Sequence, residues 1–263
     1  MNTKNEKVRA IVNGYKGKTG QMLFACASKF PGIKIIGGWD EQVCTEPLVH
    51  PDQADVIIDF SVHHVTPDLA RRCAGFGKAM VIGTTGYTPE ELRVVKDCSG
   101  VIPIVLTTNF SLGANLLFWL ARQAAMRLGP DYDLEVVEMH HRQKKDSPSG
   151  TAQTIADILA HVRNQQLEQM VHPRQRGAAT VIHGRSKGQT DIRDSSQVCV
   201  HSLRGGDVFG DHNVIFAGDG ERVELTHRAS SREAFANGAL IAASWVKGKD
   251  PGVYSMQDVL GLT

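Results

Sequence analysis

The sequence predicts an α/β protein in which a Rossmann-type parallel sheet domain is joined to a second α+β domain with a mixed sheet. Three observations support this prediction. A strand, a glycine-rich loop, a helix and a second strand follow one another between Val8 and Trp39. Short apolar runs then alternate with helical patterns up to residue 110, as in a parallel sheet. Beyond residue 130, strand-like segments follow one another without intervening helices, which indicates a mixed or antiparallel sheet.

Composition narrows the class of protein. The 263 residues suffice for one large domain or two modest ones, and a net charge of +1 gives no global field that favours nucleic acid or a membrane surface. The five cysteines form no CxxC pair, so the sequence predicts neither a zinc site nor a disulfide framework, and a reducing cytoplasm fits best. The most apolar long stretch, Leu112 to Leu128, is interrupted by polar residues and predicts a buried helix, not a membrane span.

The first βαβ unit carries a dinucleotide fingerprint. The strand Val8–Asn13 runs directly into the glycine loop Gly14–Gly20, and the second strand, Ile33–Trp39, ends at Asp40, twenty residues after Gly20. Glycines let a backbone approach a pyrophosphate, the following helix offers the positive end of its dipole, and the acid can accept hydrogen bonds from a ribose. A glycine repeat alone is a weak signal, and the alternative is a plain tight turn between a strand and a helix.

The strand–helix alternation continues through the first domain. Thr66-Pro67 predicts a helix start with the threonine as cap, and Thr88 to Glu91 has the pattern of a capping box. Three further predicted strands alternate with these helices. Their carboxyl ends should meet at one edge of the sheet, where open α/β sheets bind ligands. These predicted strands are Asp55–Ser61, Ala79–Gly86 and Val101–Leu106.

After residue 130 the pattern changes. Gly129-Pro130 predicts the end of the long helix, and Gly218-Asp219-Gly220 predicts a hairpin. The polar segment 163–196 is interpreted as an extended excursion whose arginines and lysines form a solvated face, and Ser231 to Lys247 predicts a return to helix. The predicted strands of this region are Asp133–Glu138, Val198–Val200, Val208–Ala217 and Arg222–His227.

A cationic loop lies between a predicted strand and a predicted helix. Two histidines, an arginine and two lysines fall between His140 and Lys145, and a Pro-Ser-Gly-Thr turn follows them. Ser149 or Thr151 can cap the next helix, whose first backbone N–H groups can hold an anion. The plain alternative is a solvated basic turn. Because an anion-binding helix end and several cations coincide, we favour a site for an acidic ligand.

The stretch from Glu138 to Ala152, which contains this loop, closely resembles the signature of the 4-hydroxy-tetrahydrodipicolinate (dihydrodipicolinate) reductase family. The glycine loop, Gly83-Thr84-Thr85-Gly86, Asn109-Phe110-Ser111 and the C-terminal stretch Pro251–Leu260 also resemble that family, so the resemblance covers nearly the whole chain. It implies NAD(P)H-dependent reduction of a cyclic imine dicarboxylate to tetrahydrodipicolinate on the route to diaminopimelate and lysine. It further implies a homotetramer built through the sheet of the substrate domain.

The resemblance also implies roles for individual residues. His140 and Lys144 would act at the chemistry, and the division of proton transfer between them stays open. Substrate carboxylates would be held by His141, Lys144, Ser149, Gly150 and Thr151. The cofactor would contact the glycine loop, the acid that follows the second strand and the ends of later strands, namely Gly14, Tyr15, Lys16, Gly17, Lys18, Thr19, Asp40, Phe60, Gly83, Thr84, Thr85, Thr107, Thr108, Asn109 and Phe110. Phe60 and Phe110 could equally be core residues. No metal is implied.

Three departures from the family pattern bear on the cofactor. Tyr15-Lys16 replaces the small residues usual in the glycine loop, Lys18 stands where arginine is common, and Glu41 follows Asp40 where NADPH users often carry a basic residue. The carboxylates would repel a 2′-phosphate, whereas the lysines could reach one. We expect the carboxylates to dominate, which gives a preference for NADH with NADPH still usable.

The expected organisation is a dinucleotide-binding domain of residues 1–110 and 232–263 and a substrate-binding and oligomerisation domain of residues 111–231. The expected partner is a small dicarboxylate imine, with neither nucleic acid nor a membrane. Two other functions stay open at this point. One is another two-domain nicotinamide enzyme acting on an amino or imino diacid, similar to an aspartate dehydrogenase. The other is a non-catalytic NAD(H) sensor that keeps the fold.

Overall fold

The chain folds into two compact units, referred to here as unit 1 and unit 2. A computed structural model describes residues 6–40, 49–168, 178–185, 187–188 and 192–262. Unit 1 consists of Met1–Leu112 and Arg232–Thr263, and unit 2 consists of Gly113–Ser231. The predicted fold class is confirmed: a parallel sheet with helices in unit 1, and a mixed sheet in unit 2. Glu41, which entered the prediction of cofactor preference, lies outside the described residues.

Within its described residues, unit 1 contains a six-stranded sheet whose strand pairs are all parallel. Its strands are β1 (Val8–Asn13), β2 (Ile33–Trp39), β3 (Val56–Asp59), β4 (Ala79–Ile82), β5 (Pro103–Leu106) and β11 (Gly252–Tyr254), in the spatial order β11-β5-β4-β3-β1-β2. Its helices are α1 (Lys18–Cys26), α2 (Thr66–Gly75), α3 (Pro89–Cys98), α6 (Glu233–Val246) and α7 (Met256–Leu260). Strand β11 extends the sheet with a segment for which the sequence suggested no strand.

Burial of the central strands explains their apolar sequences. Every residue of β3 and β4 is buried, because helices cover both faces of a parallel sheet. Asp59 pairs with Ile82, and Ile82 pairs with Leu106, so the carboxyl ends of β3, β4 and β5 meet at one edge, as predicted. The predicted capping box of α3 is also confirmed, with Thr88 and Glu91 bonding each other's backbone N–H.

The predicted capping role of Thr66 is wrong. Val65 is the residue that precedes α2, and it has helical backbone angles. Thr66 instead lies inside the first turn, fully buried, and its hydroxyl donates to the Asp59 carboxylate at 2.6 Å. Water can satisfy the N–H groups of an exposed helix end, but a buried carboxylate needs donors from the protein. The Thr66 hydroxyl therefore bonds to Asp59 and does not cap the helix.

Unit 2 is built on a five-stranded mixed sheet within its described residues. Its strands are β6 (Asp133–His140), β7 (Thr180–His183), β8 (Gln197–Arg204), β9 (Gly210–Gly218) and β10 (Glu221–Ala229), in the spatial order β10-β9-β6-β8-β7. Strand β6 runs parallel to β8 and antiparallel to β9, and the predicted hairpin joins β9 to β10. Helices α4 (Leu112–Leu128) and α5 (Gly150–Glu168) pack their apolar residues against the sheet.

The interpretation of segment 163–196 as an excursion with a solvated basic face is wrong for Arg163 and Arg193, whereas Arg185 and Lys187 are exposed, as expected. This segment supplies strand β7. Arg163 is 1% exposed and donates to the carbonyl oxygens of Pro130 and Tyr132 at 3.1 and 2.6 Å. The side chain of Arg193 is 14% exposed and forms ion pairs with Asp133 and Glu135. Buried charges need partners. Because both guanidinium groups find theirs among residues 130–135, they fix the segment to the rest of unit 2.

Helix α4 has the bounds that the sequence suggested, and its apolar face lies in the core of unit 2. No helix in the described part of the chain has both the length and the apolar character needed to cross a membrane. The four described cysteines, Cys26, Cys73, Cys98 and Cys199, are free and buried.

Candidate active site

The glycine loop of unit 1 has the geometry of a dinucleotide cradle. Gly14 follows β1 with a φ of +81°, and a Cβ atom built there would lie 2.3 Å from the Phe60 carbonyl oxygen. Any side chain at residue 14 would therefore clash with the backbone after β3. A cavity of about 190 Å³ opens at this point, lined in part by Gly14, Gly17, Asp40 and Phe60. The cavity brings together predicted cofactor residues from the loop, from the end of β2 and from the end of β3.

The bulky residues of the loop have definite places. Tyr15 packs on β2, where a Cβ atom built on Gly38 would lie 2.6 Å from the tyrosine ring. Lys16 Nζ lies 3.9 Å from Asp40 Oδ2. Because the Lys16 side chain is 69% exposed, solvent weakens this ion pair. Lys18 and Thr19 begin α1, with Gly17 as the residue that precedes it. A cation and a carboxylate among the predicted cofactor residues thus lie beside each other.

The ends of β3, β4 and β5 carry the remaining predicted cofactor residues. The Phe60 and Phe110 rings lie 5.4 Å apart, and a Cβ atom built on Gly83 would lie 2.2 Å from the Phe60 ring. A second cavity, of about 500 Å³, is lined in part by Thr84, Thr85, Thr107 and Thr108. Phe110 is 2% exposed, so its ring is a core residue. Asn109 Oδ1 accepts from the Ser111 N–H at 2.8 Å, which fixes the turn that leaves β5.

Beneath these loops lies a buried carboxylate that sequence reasoning missed. Asp59 is fully buried and accepts hydrogen bonds from Asn13 Nδ2 at 2.8 Å and from Ser61 Oγ at 2.5 Å. Thr66 and Thr84 add their hydroxyls at 2.6 and 3.1 Å. The ends of β1, β3 and β4 and the start of α2 are thereby tied to one side chain. An aspartate at the end of an otherwise apolar strand was a local signal for such a buried carboxylate.

In unit 2, the cationic loop leaves the sheet at the end of β6. His140 is the last residue of that strand and is 8% exposed. Ser149 precedes α5, and its hydroxyl accepts from the Ala152 N–H at 3.2 Å. Of the two candidate caps, Ser149 therefore occupies the capping position, while Gly150 and Thr151 form the first turn. The predicted strand–loop–helix placement of the cluster is confirmed.

A second buried carboxylate, Glu138, holds this loop together. It is 0% exposed, and Arg204 forms a bidentate ion pair with it, with both N–O distances at 2.9 Å. Its Oε2 lies 2.5 Å from His140 Nδ1, and its Oε1 accepts from the Ser149 N–H at 3.3 Å. Arg204 also donates to the Asp146 carbonyl oxygen at 2.7 Å. Sequence reasoning quoted Glu138 in the motif but gave it no role, and nothing in the local pattern pointed to Arg204.

His212 on β9 is a further residue that the sequence did not single out. It is 4% exposed, its Nε2 lies 3.0 Å from Ser149 Oγ, and its ring meets that of His140 edge-on at 5.2 Å. Burial, and then the charge of His140, lower the pKa of His212 to about 3. His212 is therefore a neutral imidazole near neutral pH and supports Ser149 through a hydrogen bond without adding charge.

The other predicted residues of the loop face different environments. Lys144 Nζ pairs with Asp146 at 2.7 and 2.9 Å. The hydrogen bond from Lys144 lowers the pKa of Asp146. Among the described residues, the buried Nδ1 of His141 has no hydrogen-bond partner. Ser149 is 2% exposed, and its hydroxyl bonds to the Ala152 N–H and to His212, whereas Gly150 at the start of α5 is exposed.

Comparison with known proteins identifies the family. Residues 8–110 match the model of the dihydrodipicolinate reductase N-terminus, and residues 113–260 match that of its C-terminus. The chain belongs to the dihydrodipicolinate reductase family. Its members include the 4-hydroxy-tetrahydrodipicolinate reductase of Akkermansia muciniphila, which is 44% identical over 97% of this chain and 99% of its own length. That of Methanocorpusculum labreanum is 42% identical over 97% of this chain and 100% of its own length.

A solved structure shares the fold. Dipicolinate-bound dihydrodipicolinate reductase from Paenisporosarcina sp. TG-14 superimposes with a TM-score of 0.75 and 24% identity, covering 96% of this chain and 98% of its own. The activity follows from the family. The chain is a reductase that uses a pyridine nucleotide to reduce 4-hydroxy-tetrahydrodipicolinate to tetrahydrodipicolinate in diaminopimelate and lysine biosynthesis. Family membership sets aside both the aspartate dehydrogenase-like enzyme and the non-catalytic sensor.

Proposed function

We propose that unit 2 binds the substrate at the cationic loop and the start of α5, and that His140 and Lys144 carry its chemistry. The observation that carries this proposal is the placement of His140 and Ser149 on one buried carboxylate, Glu138. That carboxylate fixes a titratable ring beside a capped helix N-terminus. A proton donor and an anion site thereby share one rigid support.

Two features of the loop suit a dicarboxylate. Gly150 and Thr151 form the first turn of α5, where the helix dipole attracts anions, so they would hold one carboxylate. His141 presents a buried Nδ1 without a partner, which suits a hydrogen bond to the substrate. Lys144 supplies a positive charge in the same loop, and Ser149 acts as the cap that orders the helix start.

The proton is proposed to come from His140. Reduction adds a hydride and a proton, and the bound pyridine nucleotide supplies the hydride. His140 Nδ1 is hydrogen-bonded to Glu138. Nε2 is therefore the nitrogen that remains to give a proton to the substrate. A Cβ atom built on Gly210 would lie 2.9 Å from Nε2, so a larger residue at position 210 would crowd that nitrogen. Lys144 would offset the negative charge that develops during hydride transfer.

An assay of substituted proteins tests these roles. NADH oxidation would be followed after addition of the product of dihydrodipicolinate synthase, with L-aspartate plus NAD as the control. We expect His140→Asn to lower kcat by on the order of 10²–10⁴, as for loss of a general acid. His141→Asn should chiefly raise KM for the substrate. A His140→Asn protein with wild-type kcat would remove His140 from the chemistry.

Unit 1 fits a pyridine nucleotide, and we propose that NADH is preferred. The cavity at Gly14 and Gly17 suits a pyrophosphate at the start of α1, and Asp40 lines the same cavity. Asp40 would accept hydrogen bonds from the adenosine ribose and would repel a 2′-phosphate. Lys16 opposes this preference, since its Nζ lies 3.9 Å from Asp40 and could contact that phosphate. The position of Lys16 is the reason to expect that NADPH remains usable.

The preference is measured as the ratio of kcat/KM for the two cofactors. We expect a ratio in favour of NADH for the wild type and a larger ratio for Lys16→Ala, because the attraction to a 2′-phosphate is lost. Asp40→Asn should shift the ratio towards NADPH. Lys78→Ala is a control on the same unit, since Lys78 donates to the Asp52 carbonyl oxygen and lies outside the cavity. A wild type that clearly prefers NADPH would contradict the proposal.

We further propose a cytoplasmic homotetramer assembled through the sheet of unit 2. Helices α4 and α5 pack against this sheet, whereas Val137, Met139 and Ile215 remain half-buried and Leu203 is 49% exposed. A second copy covering these residues would remove their apolar surface from water. Light scattering coupled to size exclusion should give a mass of about four chains, as expected for a closed symmetric assembly. A monomer at micromolar concentration would contradict this.

A further inference from the structure

The buried carboxylate of Glu138 receives bonds from two ionisable groups. Arg204 occupies both of its oxygens, and His140 Nδ1 lies 2.5 Å from Oε2. Burial acts to raise the pKa of Glu138, but hydrogen bonds from Arg204, Ser202 and His140 outweigh it and hold the pKa below its usual value. Glu138 is therefore ionised at neutral pH, and its negative charge lies directly against the imidazole ring.

This contact determines which nitrogen of His140 carries the exchangeable proton. A carboxylate is an acceptor, so His140 Nδ1 must be the donor in the neutral ring as well as in the charged one. The neutral tautomer then leaves Nε2 bare, and protonation of the ring puts the added proton on Nε2. That is the nitrogen beside which Gly210 leaves room. The added proton therefore lies on the nitrogen that the proposed mechanism assigns to the substrate.

Charged and titratable groups from several elements surround His140. Glu138 on β6 favours the charged ring, whereas Lys144 in the cationic loop and Arg204 on β8 disfavour it. His212 on β9 meets the ring edge-on and is neutral. Burial and these cations together lower the pKa of His140, and Glu138 opposes them. Loss of Glu138 and loss of Arg204 should therefore move the pKa of His140 in opposite directions.

We propose that Glu138 is the positioning residue for proton transfer in this reductase, and that Arg204 fixes Glu138 against His140. Glu138 orients the ring, sets its tautomer and keeps enough negative charge beside it for the imidazolium to exist at working pH. Through the Ser149 N–H it also joins the proton donor to the start of α5. This inference rests on the proposed role of His140, and its test separates the two.

The test combines nitrogen NMR of the histidine rings with the pH dependence of kcat. In Glu138→Gln we expect the pKa of His140 to fall by about one unit or more, the usual effect of removing an adjacent opposite charge. The fall of kcat with rising pH, called here the alkaline limb, should move to lower pH by the same amount, because the protonated ring is the active form. In Arg204→Gln both values should rise, since a cation is removed while the contacts with His140 Nδ1 and the Ser149 N–H still hold the Glu138 carboxylate beside the ring.

A matched control lies on the same strand. Glu135 on β6 also pairs with a histidine and an arginine, with His201 Nε2 at 2.7 Å and with Arg193, and it makes no contact with the cationic loop among the described residues. Glu135→Gln therefore removes a similar carboxylate from a similar triad. We expect it to lower the unfolding temperature without moving the pKa of His140 or the alkaline limb.

The outcomes separate the possible failures. Shifts of opposite sign in Glu138→Gln and Arg204→Gln, with none in Glu135→Gln, support the inference. Equal shifts in all three variants, or no shift in Glu138→Gln, overturn it. If Glu138→Gln does not fold, the rise in Arg204→Gln carries the test, and a fall there overturns the inference. If the NMR shifts appear but His140→Asn keeps full turnover, the proposed role of His140 fails while the positioning by Glu138 stands.

Discussion

The two units each bury one carboxylate at the end of a strand that leads to a functional loop, and they satisfy it differently. Asp59 in unit 1 is bound by the amide of Asn13 and the hydroxyls of Ser61, Thr66 and Thr84. Glu138 in unit 2 is bound by a guanidinium and an imidazole. Both are 0% exposed, so burial does not distinguish them.

The difference follows from what each loop must do. Neutral donors hold Asp59 without adding titratable groups, so the cofactor loops keep one arrangement over a wide pH range. A histidine beside Glu138 lets a proton move at the site without leaving a buried charge unpaired, because Arg204 stays in place. We infer that unit 1 is built for rigid binding and unit 2 for proton transfer. The predictions below are arranged from the largest expected effect to the smallest.

Apart from His140→Asn, the largest effect should come from Lys144. We expect Lys144→Ala to lower kcat by about 10²–10³, the usual effect of losing a positioned cation or acid, while the Kd for NADH stays within about twofold. Lys144 belongs to unit 2, and the proposed cofactor residues belong to unit 1. Stopped-flow turnover and fluorescence titration with NADH measure the two quantities.

Lys145→Ala is the control for Lys144, because Lys145 is an exposed neighbour in the same loop. It should leave kcat nearly unchanged. Equal losses in both variants would mean that the loop acts through its total charge and that Lys144 has no special place.

Gly210 tests whether the Nε2 face of His140 must stay open. Gly210→Ala would place a methyl group 2.9 Å from that nitrogen, which forces the ring or the strand to shift. We expect kcat to fall by on the order of tenfold, since a misplaced general acid loses part of its contribution. Gly218→Ala on the same strand is the control, because its Cβ atom would approach the Tyr132 ring at 2.8 Å, away from His140. Similar kcat values for the two variants would contradict the role of Nε2.

Asp59 tests the other half of the comparison. Asp59→Asn replaces an acceptor by an amide that faces existing donors, which should destabilise unit 1 by about 1–3 kcal/mol and raise KM for NADH. The pH dependence of kcat should keep its shape, because no titratable donor surrounds Asp59 among the hydrogen-bond partners described here. Asp55→Asn, at the residue just before β3, is the control. A shifted alkaline limb in Asp59→Asn would break the comparison.

His212 is expected to give the smallest effect at neutral pH, and it concerns stability. Its pKa is lowered to about 3 in the folded protein, so the unfolded chain binds a proton first as pH falls below about 6.5. Stability is therefore lost as pH falls from about 6.5 towards 3, by about 2 kcal/mol at pH 5. His212→Asn should reduce this loss in urea unfolding at pH 7 and pH 5. The exposed His161 on α5 serves as the control, and His161→Asn should leave the pH dependence unchanged.

Much of the fold could be predicted because its signals are local. β1 and β2 have the bounds that the sequence suggested, since each is an apolar run closed by polar or glycine residues. The capping box of α3 and the hairpin between β9 and β10 depend on residues within a few positions of one another. Strand β7 was missed because its four residues follow a polar segment and are only half-buried or exposed.

The support of the site could not be predicted, because it depends on contacts between distant residues. Arg204 reaches Glu138 across 66 residues of sequence, and His212 reaches Ser149 across 63. Neither residue has a local pattern that marks it. The cationic loop itself was predictable, since strand, cations and helix cap are contiguous. The motif therefore revealed the groups proposed to contact the substrate, and the fold revealed the groups that support them.

The central claim is that the proton comes from His140, and the most direct measurement is the pH dependence of single-turnover NADH oxidation in the wild type and in His140→Asn. We expect the wild-type rate to fall as pH rises through one alkaline limb. In His140→Asn the rate should be low and that limb should be absent. A slow His140→Asn enzyme that keeps the same limb, and loses it when Lys144→Ala is added, would assign the proton to Lys144 and contradict the account.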